Sequence, residues 1–297
     1  MRVLCFFFSL ILGISARLDM RAKEPPADTF APGTFPIIEV ARQPVCSVRI
    51  ASFNVRCADV NGVPDKARKT IVQKQIADLA ADSIGLQEVT LMWKKTLEKM
   101  PGYALVGEGR DGESYGESSP ILYNKLRYTC TRSGTFWLSE TPDVVSFGWD
   151  AACRRVCTYV VLKNRWTGET YAHVNSHFDH KGKQAVVQEA QMVSDFIRDN
   201  FGGMPVVFTA DLNAQPDSEP YRIMTEALYD TRLCADDVQT YGTFHAVKPE
   251  THAQYYIDYV LCSAQVHTLA YRTVTAGECG RFVSDHFPIY ADLRFDR

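Results

Sequence analysis

The 297-residue sequence lacks an excess of positive charge, since its formal net charge is −3 and its pI is about 6.2. This balance argues against a protein that coats nucleic acid by general attraction, so any phosphate binding must be local. Internal repeats and low-complexity tracts are absent, and so is a Cys-x-x-Cys pair, which argues against a zinc knuckle. The remaining composition, 46% hydrophobic and 23% charged, is that of an ordinary folded protein.

The N-terminus has the form of an export signal. Arg2 precedes an apolar run over residues 3–14, which is followed by Ser15 and Ala16. The run is too short to span a bilayer comfortably, so we expect a signal peptide at residues 1–16 and no stable membrane insertion after its removal. Residues 17–44 are rich in proline and predict a linker or lead-in strap before a folded domain at residues 45–297. We therefore expect a secreted or otherwise exported protein.

Cysteine usage points in the same direction. The chain has nine cysteines, and Cys5 lies within the expected signal peptide. An even number would remain in the exported chain, which favours disulfides, but no spacing selects among the many possible pairings.

Strand-like segments alternate with helix-like ones beyond residue 45. The first strand is predicted at 48–53, and a helix at 66–80 places Val72, Ile76 and Leu79 on one face. Further strands are predicted at 83–86, 121–123, 155–162, 171–175, 206–209, 256–262 and 288–293, and further helices at 183–200 and 220–228. This alternation predicts a layered α/β core with its chemistry in loops at strand ends. His173 is expected on an ordinary strand surface.

Several of the predicted strands end in, or are followed closely by, a polar residue. Taken singly, each has a structural explanation, such as turn formation or a surface ion pair. Their repetition favours a shared site, because an uncompensated charge at a poorly hydrated rim is costly without a cation or a partner. The set comprises Asn54, Glu88, His177, Asp211, Asn213, Asp258, Asp285 and His286.

These residue types suit a hard divalent cation and a phosphoester. Magnesium prefers oxygen ligands and keeps several waters, so Glu88 is the strongest candidate ligand, with Asn54 and Asp285 beside it. Manganese accepts much the same ligands and stays possible. Asp211 could orient or deprotonate the attacking water, and Asn213 could hold Asp211 and the phosphate in register.

Two histidines complete the predicted chemistry. His286 is suited to donate a hydrogen bond to a phosphate oxygen, with Asp258 fixing its tautomer and raising its basicity. His177 would serve the phosphate or the leaving group from the other side.

The order of these motifs resembles the endonuclease/exonuclease/phosphatase superfamily over nearly the whole mature chain, from about residue 47 to 294. The motifs are Asn54, Gln87-Glu88, the run 175–180, Asp211-Leu212-Asn213, the run 257–259 and the run 284–286. Segments 115–117, 134–139, 148–152 and 216–220 are similar to an exported and bacterial-type branch distantly related to deadenylases.

The resemblance implies a fold and a set of roles. The implied fold is a four-layer α/β sandwich, with two mixed sheets face to face and helices on the outer faces. Asn54, Glu88 and Asp285 would bind the metal, as the residue types also suggest. The resemblance adds Arg155 and Tyr115 as phosphate contacts, with Arg155 favoured over Arg154. It also suggests Glu117 as a supporting partner of His177. From the residues themselves, Asp179 and His180 could be further ligands, but we favour them as supports of the site or as loop-forming groups.

Our leading hypothesis is an exported, magnesium-dependent phosphodiesterase that cuts nucleic acid, with RNA 3′-5′ exonuclease or endonuclease activity and a monomeric state. An alternative substrate is a lipid, inositol or sugar phosphate, because the cation and water machinery would be unchanged. A second alternative is a non-catalytic binding module of the same fold. The presence of Glu88, Asp211 and His286 argues against that alternative.

Overall fold

The computed structural model describes residues 48–58, 60, 65–247, 255–275 and 283–295. The expected signal peptide and strap lie outside these residues. Two mixed β-sheets are covered by helices, which confirms the predicted α/β sandwich. Among the described residues, no helix is both long and apolar enough to cross a membrane.

Thirteen strands and five helices make up the described part of the chain. The strands are β1 (Val48–Asn54), β2 (Ser83–Gln87), β3 (Tyr103–Val106), β4 (Ile121–Asn124), β5 (Tyr128–Trp137), β6 (Val156–Asn164), β7 (Thr170–His177), β8 (Val206–Asp211), β9 (Tyr229–Asp230), β10 (Asp237–Gln239), β11 (Asp258–Cys262), β12 (Val266–Thr273) and β13 (Ile289–Phe295). The helices are α1 (Asp65–Asp78), α2 (Leu91–Leu97), α3 (Lys183–Phe201), α4 (Glu219–Ala227) and α5 (Thr231–Cys234).

The two sheets bring different strand ends to the same region. The first sheet has the order β10-β12-β13-β1-β2-β4-β3, and the second β5-β6-β7-β8-β11-β9. In the first, β1 and β2 are parallel and Asn54 pairs with Gln87. In the second, β7 and β8 are parallel and His177 pairs with Asp211, which also faces Asp258 across the antiparallel β8–β11 pair. The central strands of each sheet therefore end in polar residues.

Apolar packing explains the four layers. Helices α1 and α2 bury Val72, Ile76 and Trp93 against the outer face of the first sheet. Helices α3 and α4 bury Val193 and Met224, among others, against the second sheet. A third cluster of strand residues fills the space between the sheets. Because both faces of the central strands are covered, they are almost continuously buried, as all seven residues of β1 are.

All the predicted strands and helices are present, with ends that differ by one or two residues. Sequence patterns missed β3, β5, β9, β10 and β12 and the short helices α2 and α5. Strand β5 lacks an apolar pattern because it is an edge strand whose middle residues are largely exposed. The position expected for His173 was wrong, since its side chain is fully buried.

Buried polar side chains join the two sheets. His173 contacts Ser83 Oγ through Nδ1 and Thr209 Oγ1 through Nε2, each at 2.8 Å. Gln87 Nε2 donates to Asn175 Oδ1 at 2.8 Å, and Thr209 Oγ1 donates to the same oxygen at 2.9 Å. Burial lowers the pKa of His173 to about 3, so its ring is neutral. We call this network, which links β2 with β7 and β8, the polar seam.

A buried ion pair ties the first sheet together. Arg49 in β1 donates from Nε and Nη2 to the two carboxylate oxygens of Asp292 in β13, at 2.6 and 2.8 Å. Both side chains are essentially inaccessible to water. Arg49 also lies over the ring of Tyr290, with its guanidinium carbon 4.2 Å from the ring centroid.

Replacing Asp292 should destabilise the protein strongly. In Asp292→Asn, the Arg49 cation stays buried without its bidentate partner, which typically costs about 3–5 kcal/mol of unfolding free energy. Urea denaturation would measure the change. The matched control is Asp78→Asn, which breaks the half-exposed pair with Lys74 and should cost less than about 1 kcal/mol. Equal effects from the two variants would contradict this account of Arg49.

Candidate active site

The strand ends of both sheets meet in one hydrogen-bonded cluster. Asn54 Nδ2 donates to Glu88 Oε1 at 3.0 Å and to Asp211 Oδ2 at 2.9 Å. The amide therefore bridges a carboxylate of its own sheet to one of the facing sheet. Glu88 Oε2 also accepts from the backbone N–H of Cys57 at 2.8 Å. Residues distant in sequence are thus held side by side.

Backbone strain accompanies this placement. Glu88 and Asn213 both have positive φ angles, 58° and 49°, which side chains with a Cβ adopt at a cost. Such conformations are found where the surrounding structure fixes a functional side chain. Here the turn after each strand redirects a polar side chain, so the site is set by the backbone as well as by side-chain packing.

Asp211 stands at the centre of the cluster. Its Oδ1 accepts from the backbone N–H of Asn213 at 2.9 Å, and its Oδ2 lies 3.5 Å from His177 Nε2. The Asn213 side chain donates from Nδ2 to His177 Nε2 at 3.0 Å and to the Phe178 carbonyl at 2.9 Å. Asn213 therefore holds His177 and the loop after β7 in place.

His286 completes the arrangement from the first sheet. Its Nδ1 contacts Asp258 Oδ2 at 2.8 Å, and its Nε2 lies 3.8 Å from Asp211 Oδ2. The imidazole thus stands between two carboxylates of the second sheet. Because Asp258 occupies Nδ1, the Nε2 side is turned towards Asp211.

Burial and charge set the protonation states. Burial alone would lower the pKa of His286, but the Asp258 and Asp211 carboxylates raise it to about 10, so the ring is cationic at neutral pH. Burial and the charge of Asp258 raise the pKa of Asp211 to about 7. Burial and the Arg155 cation hold the pKa of His177 well below its usual value, which leaves that ring neutral. The site therefore combines a fixed cation with an aspartate able to exchange a proton near neutral pH.

The donor set on the Glu88 side fits a divalent cation. Burial would raise the pKa of Glu88, yet hydrogen bonds from Cys57 and Asn54 and the charge of His286 keep it below its usual range, so the carboxylate is ionised. The Asn54 oxygen accepts from the backbone N–H of Arg56 at 3.0 Å, and Asp285 is paired with the Arg56 side chain at 3.0 Å. Ligation by Asn54 and Asp285 stays a prediction, and Asp285 would have to exchange Arg56 for the ion.

Arg155 is the buried cation on the opposite wall. Its Nη2 contacts His180 Nδ1 at 3.1 Å, and its Nε lies 3.6 Å from Asp179 Oδ2. Asp179 in turn accepts from four backbone N–H groups, those of residues 152, 153, 181 and 182. The aspartate thus shapes the loop that orients Arg155, in line with its expected supporting position. Arg154 instead pairs with Asp111 at 2.9 Å.

Two further residues were expected at the site, Glu117 and Tyr115. Glu117, expected beside His177, accepts from both terminal nitrogens of Arg110, with the shorter contact 2.9 Å. Tyr115 lies in the same loop with 67% of its surface exposed, and it is not among the residues that line the cavity described next. Its phosphate contact stays a prediction. Both residues lie in the loop between β3 and β4, whose path a strand pattern does not determine, and the pairing of Glu117 with His177 likewise stays a prediction.

The cluster opens into a cavity of about 290 Å³. Its wall combines cationic, imidazole and carboxylate groups with two apolar side chains. Asn54 and Asp258 lie behind this wall and support it through their hydrogen bonds. The lining residues are Arg56, Glu88, Arg110, Glu117, Cys153, Arg155, His177, His180, Asp211, Asn213, Phe244, Ile257 and His286.

Sequence reasoning missed several of these residues. Arg56 follows Asn54 by two positions, so its place after a strand was a usable signal. Arg110 and Phe244 come from loops whose course no short pattern gives, and Ile257 lay within the motif at 257–259 without being assigned to the site. No motif in the sequence points to Cys57, although its backbone N–H donates to the Glu88 carboxylate.

A site that gathers cations, ionised carboxylates and a near-neutral aspartate around one cavity suits the hydrolysis of an anionic ester. That chemistry defines a class, the metal-dependent phosphoester hydrolases. The chain belongs to the Endonuclease/Exonuclease/phosphatase family, whose profile matches residues 51–286. This confirms the family, the fold and the enzyme class inferred from the motifs.

Solved structures agree with this assignment. A mannosyl-6-phosphatase from Bacteroides thetaiotaomicron is 31% identical, with a TM-score of 0.79 over 84% of this chain and 100% of that one. A family member from Bacteroides vulgatus is 33% identical, with the same TM-score over 84% and 99% of the two chains. TDP2 from D. rerio, solved with a single-stranded DNA product, is 17% identical with a TM-score of 0.66 over 83% and 98%, and shares the fold. No curated protein matches the chain in a sequence search.

Behind Arg155 lies a buried acid that the sequence did not single out. Glu189 of α3 is fully buried, and its Oε2 accepts from the Asp179 backbone N–H at 2.7 Å. Its Oε1 has no hydrogen-bond partner among the described residues. Burial raises the pKa of Glu189 to about 8, against the opposing effects of the Asp179 N–H and the Arg155 charge. The carboxyl group is therefore largely protonated at neutral pH.

The Glu189 carboxyl should make stability fall with rising pH. The unfolded chain loses this proton near pH 4.5, whereas the folded protein keeps it until about pH 8. Its stabilising contribution is thus complete below about pH 4.5 and is lost as pH rises through about 8. Glu189→Gln keeps the acceptor and has no proton to lose. Its unfolding free energy relative to wild type should increase by more than about 1 kcal/mol between pH 5 and 8.5, measured by urea denaturation.

The control is Glu226→Gln, which alters an exposed glutamate on α4. The difference in unfolding free energy between Glu226→Gln and wild type should be the same at pH 5 and at pH 8.5. A constant difference for Glu189→Gln as well would show that Glu189 is ionised in the folded protein.

Proposed function

We propose that the protein hydrolyses a phosphate ester with Mg²⁺ by in-line attack of a water molecule, and that its substrate is a compact ester such as a sugar phosphate. The observation that carries the reaction is the convergence of Glu88, Asp211 and His286 on one cavity. Each comes from a different strand end, and each has the protonation state that its role needs.

Asp211 acts as the general base. Its pKa of about 7 lets it take a proton from the attacking water near neutral pH. Asn54 and the backbone of Asn213 hold its two oxygens in fixed directions. As the water oxygen bonds to phosphorus, the ester bond on the opposite side breaks.

His286 and Arg155 stabilise the phosphate. His286 is held cationic by Asp258 and donates from Nε2 to a non-bridging oxygen, where negative charge grows during attack. Arg155 adds a second buried cation from the other wall, oriented by Asp179 and His180. His177, a neutral ring fixed by Asn213, lines the same cavity and serves the phosphate or the leaving group.

Glu88 would be the principal ligand of the metal, with Asn54 and Asp285 as further candidates. When bound, the cation neutralises phosphate charge and polarises the reacting ester. Mn²⁺ fits the same oxygen donors. Asn54 Nδ2 and the Cys57 backbone N–H each donate to one carboxylate oxygen of Glu88 and hold it in place at the cavity wall.

Removing the proposed metal ligand should abolish most activity without unfolding the protein. Glu88→Gln keeps the side-chain volume and loses the charge, so turnover with saturating Mg²⁺ should fall by at least about 100-fold. EDTA should remove wild-type activity, and added Mg²⁺ should restore it. Steady-state kinetics with thermal denaturation as a folding check would measure both effects. The control Glu98→Gln, at an exposed helix end, should keep the wild-type rate. A fully active Glu88→Gln enzyme would remove Glu88 from the metal site.

Size and charge favour a compact substrate over a nucleic acid chain. The cavity volume of about 290 Å³ lies at the small end of the range for ligand sites, roughly 300–1,000 Å³. The net charge of −3 gives little general attraction for a polyanion. The mannosyl-6-phosphatase is matched over its whole length, which supports a sugar phosphate here. Hydrolysis of nucleic acid, which the sequence analysis favoured, stays a prediction. Export of the protein also stays a prediction.

A substrate panel separates the two possibilities. With Mg²⁺, we expect kcat/KM for a hexose 6-phosphate to exceed that for single-stranded RNA or DNA by at least about tenfold, because only a small ester fills the cavity. The same panel run with Glu88→Gln excludes contaminating phosphatases. Faster cleavage of the oligonucleotides would overturn the sugar phosphate and support the nuclease. Inactivity of the wild type on every ester would overturn the proposed reaction itself.

A further inference from the structure

Two cysteines far from the cavity share one hydroxyl group. Cys234 ends α5, and Cys262 ends β11. The Cys234 sulfur lies 3.5 Å from Thr268 Oγ1, and the Cys262 sulfur lies 3.7 Å from the same oxygen. Both sulfurs therefore lie beside one side-chain oxygen, and folding has brought the two cysteines into the same neighbourhood.

The two thiols differ in access and in acidity. Cys234 is partly exposed, whereas Cys262 is fully buried. The hydrogen bond from Cys262 lowers the pKa of Cys234. The Cys234 thiol and burial raise the pKa of Cys262 well above its usual value. An external reagent would thus meet the more acidic thiol first, and the buried thiol would react second.

We propose that Cys234 and Cys262 form a disulfide by exchange with a small-molecule disulfide such as oxidised glutathione. The Cys234 thiolate attacks one sulfur of the reagent, whose S–S bond breaks, and one glutathione leaves as a thiol. The Cys262 sulfur then attacks the Cys234 sulfur and expels the second glutathione, whose departing sulfur takes up the Cys262 proton. Two protein thiols are oxidised to one disulfide, and the reagent is reduced to two thiols.

The other described thiols have different surroundings. Cys130 donates to the backbone carbonyl of Arg132 at 3.4 Å. The Cys57 sulfur lies within 4.8 Å of carboxylate oxygens of Glu88 and Glu117. Cys153 lines the cavity, and Cys157 is buried in the core of the second sheet. Among the described cysteines, Cys234 and Cys262 are the pair whose sulfurs contact one shared side-chain oxygen. Cys46 and Cys279 lie outside the described residues.

The bond would enclose a segment that reaches the active site. Phe244 and Ile257 lie between the two cysteines in sequence, and both line the cavity. The Phe244 ring centroid is 4.9 Å from that of His286. A disulfide would fix both ends of this segment and restrict the unfolded chain, which stabilises the folded state. This inference is independent of the reaction that the site performs.

Peptide mass spectrometry of the full wild-type chain is the direct test and needs no variant. The folded protein is incubated with oxidised glutathione, its remaining thiols are alkylated, and it is digested without reduction. We expect a peptide pair joined through Cys234 and Cys262. Recovery of Cys234 as an alkylated or glutathionylated residue, or joined to another cysteine, would overturn the proposal.

Thermal denaturation provides a second test. The oxidised wild type should melt at least about 5 °C higher than the same protein in a thiol reductant, because the closed loop reduces the entropy of the unfolded chain. Cys234→Ser and Cys262→Ser should each lose this difference. The control Cys130→Ser should keep it. An undiminished difference in Cys234→Ser would contradict the pairing.

Discussion

The polar seam between the sheets is the constraint on which the site depends. The sheets approach so closely at Gly85 that a Cβ there would lie 1.9 Å from Thr209 Oγ1 and 2.3 Å from Asn175 Oδ1. Because glycine has no side chain, the donors and acceptors of the polar seam can form hydrogen bonds across the gap between the two sheets. Sliding one sheet over the other would leave several of these groups buried and unpaired, at about 1–3 kcal/mol each. Apolar packing alone would not select one alignment so strongly.

The seam leads directly into the catalytic residues. Asn175 and Thr209 lie two positions before His177 and Asp211, and residues two apart in a strand share a face of the sheet. The face that carries the seam therefore carries these two side chains at its end. On the first sheet, Gln87 of the seam directly precedes Glu88, whose carboxylate is joined to that of Asp211 through the Asn54 amide. The alignment of the sheets and the geometry of the site thus have a common cause.

Sequence patterns predicted the strand ends well, and other features poorly, for physical reasons. Apolar runs indicate where buried strands stop, so Asn54 and Asp211 could be assigned to a shared rim before their contacts were known. Patterns cannot show which polar residue is buried by a facing sheet, which is why His173 was misplaced and Glu189 was overlooked. The Arg110 pairing of Glu117 depends on a loop, whose course is set by many weak contacts.

The charges around the cavity explain why a cation and an anionic ester belong together here. The inner cluster holds the carboxyl groups of Glu88, Asp211, Asp258 and Asp285 against two nearby cations, Arg56 and His286. Burying this excess of negative charge is unfavourable, and burial with charge repulsion raises the pKa of Asp211 accordingly. A divalent cation beside Glu88 would relieve the repulsion between the carboxylates and offset their negative charge. A phosphate would then meet favourable charge from the bound cation as well as from His286 and Arg155.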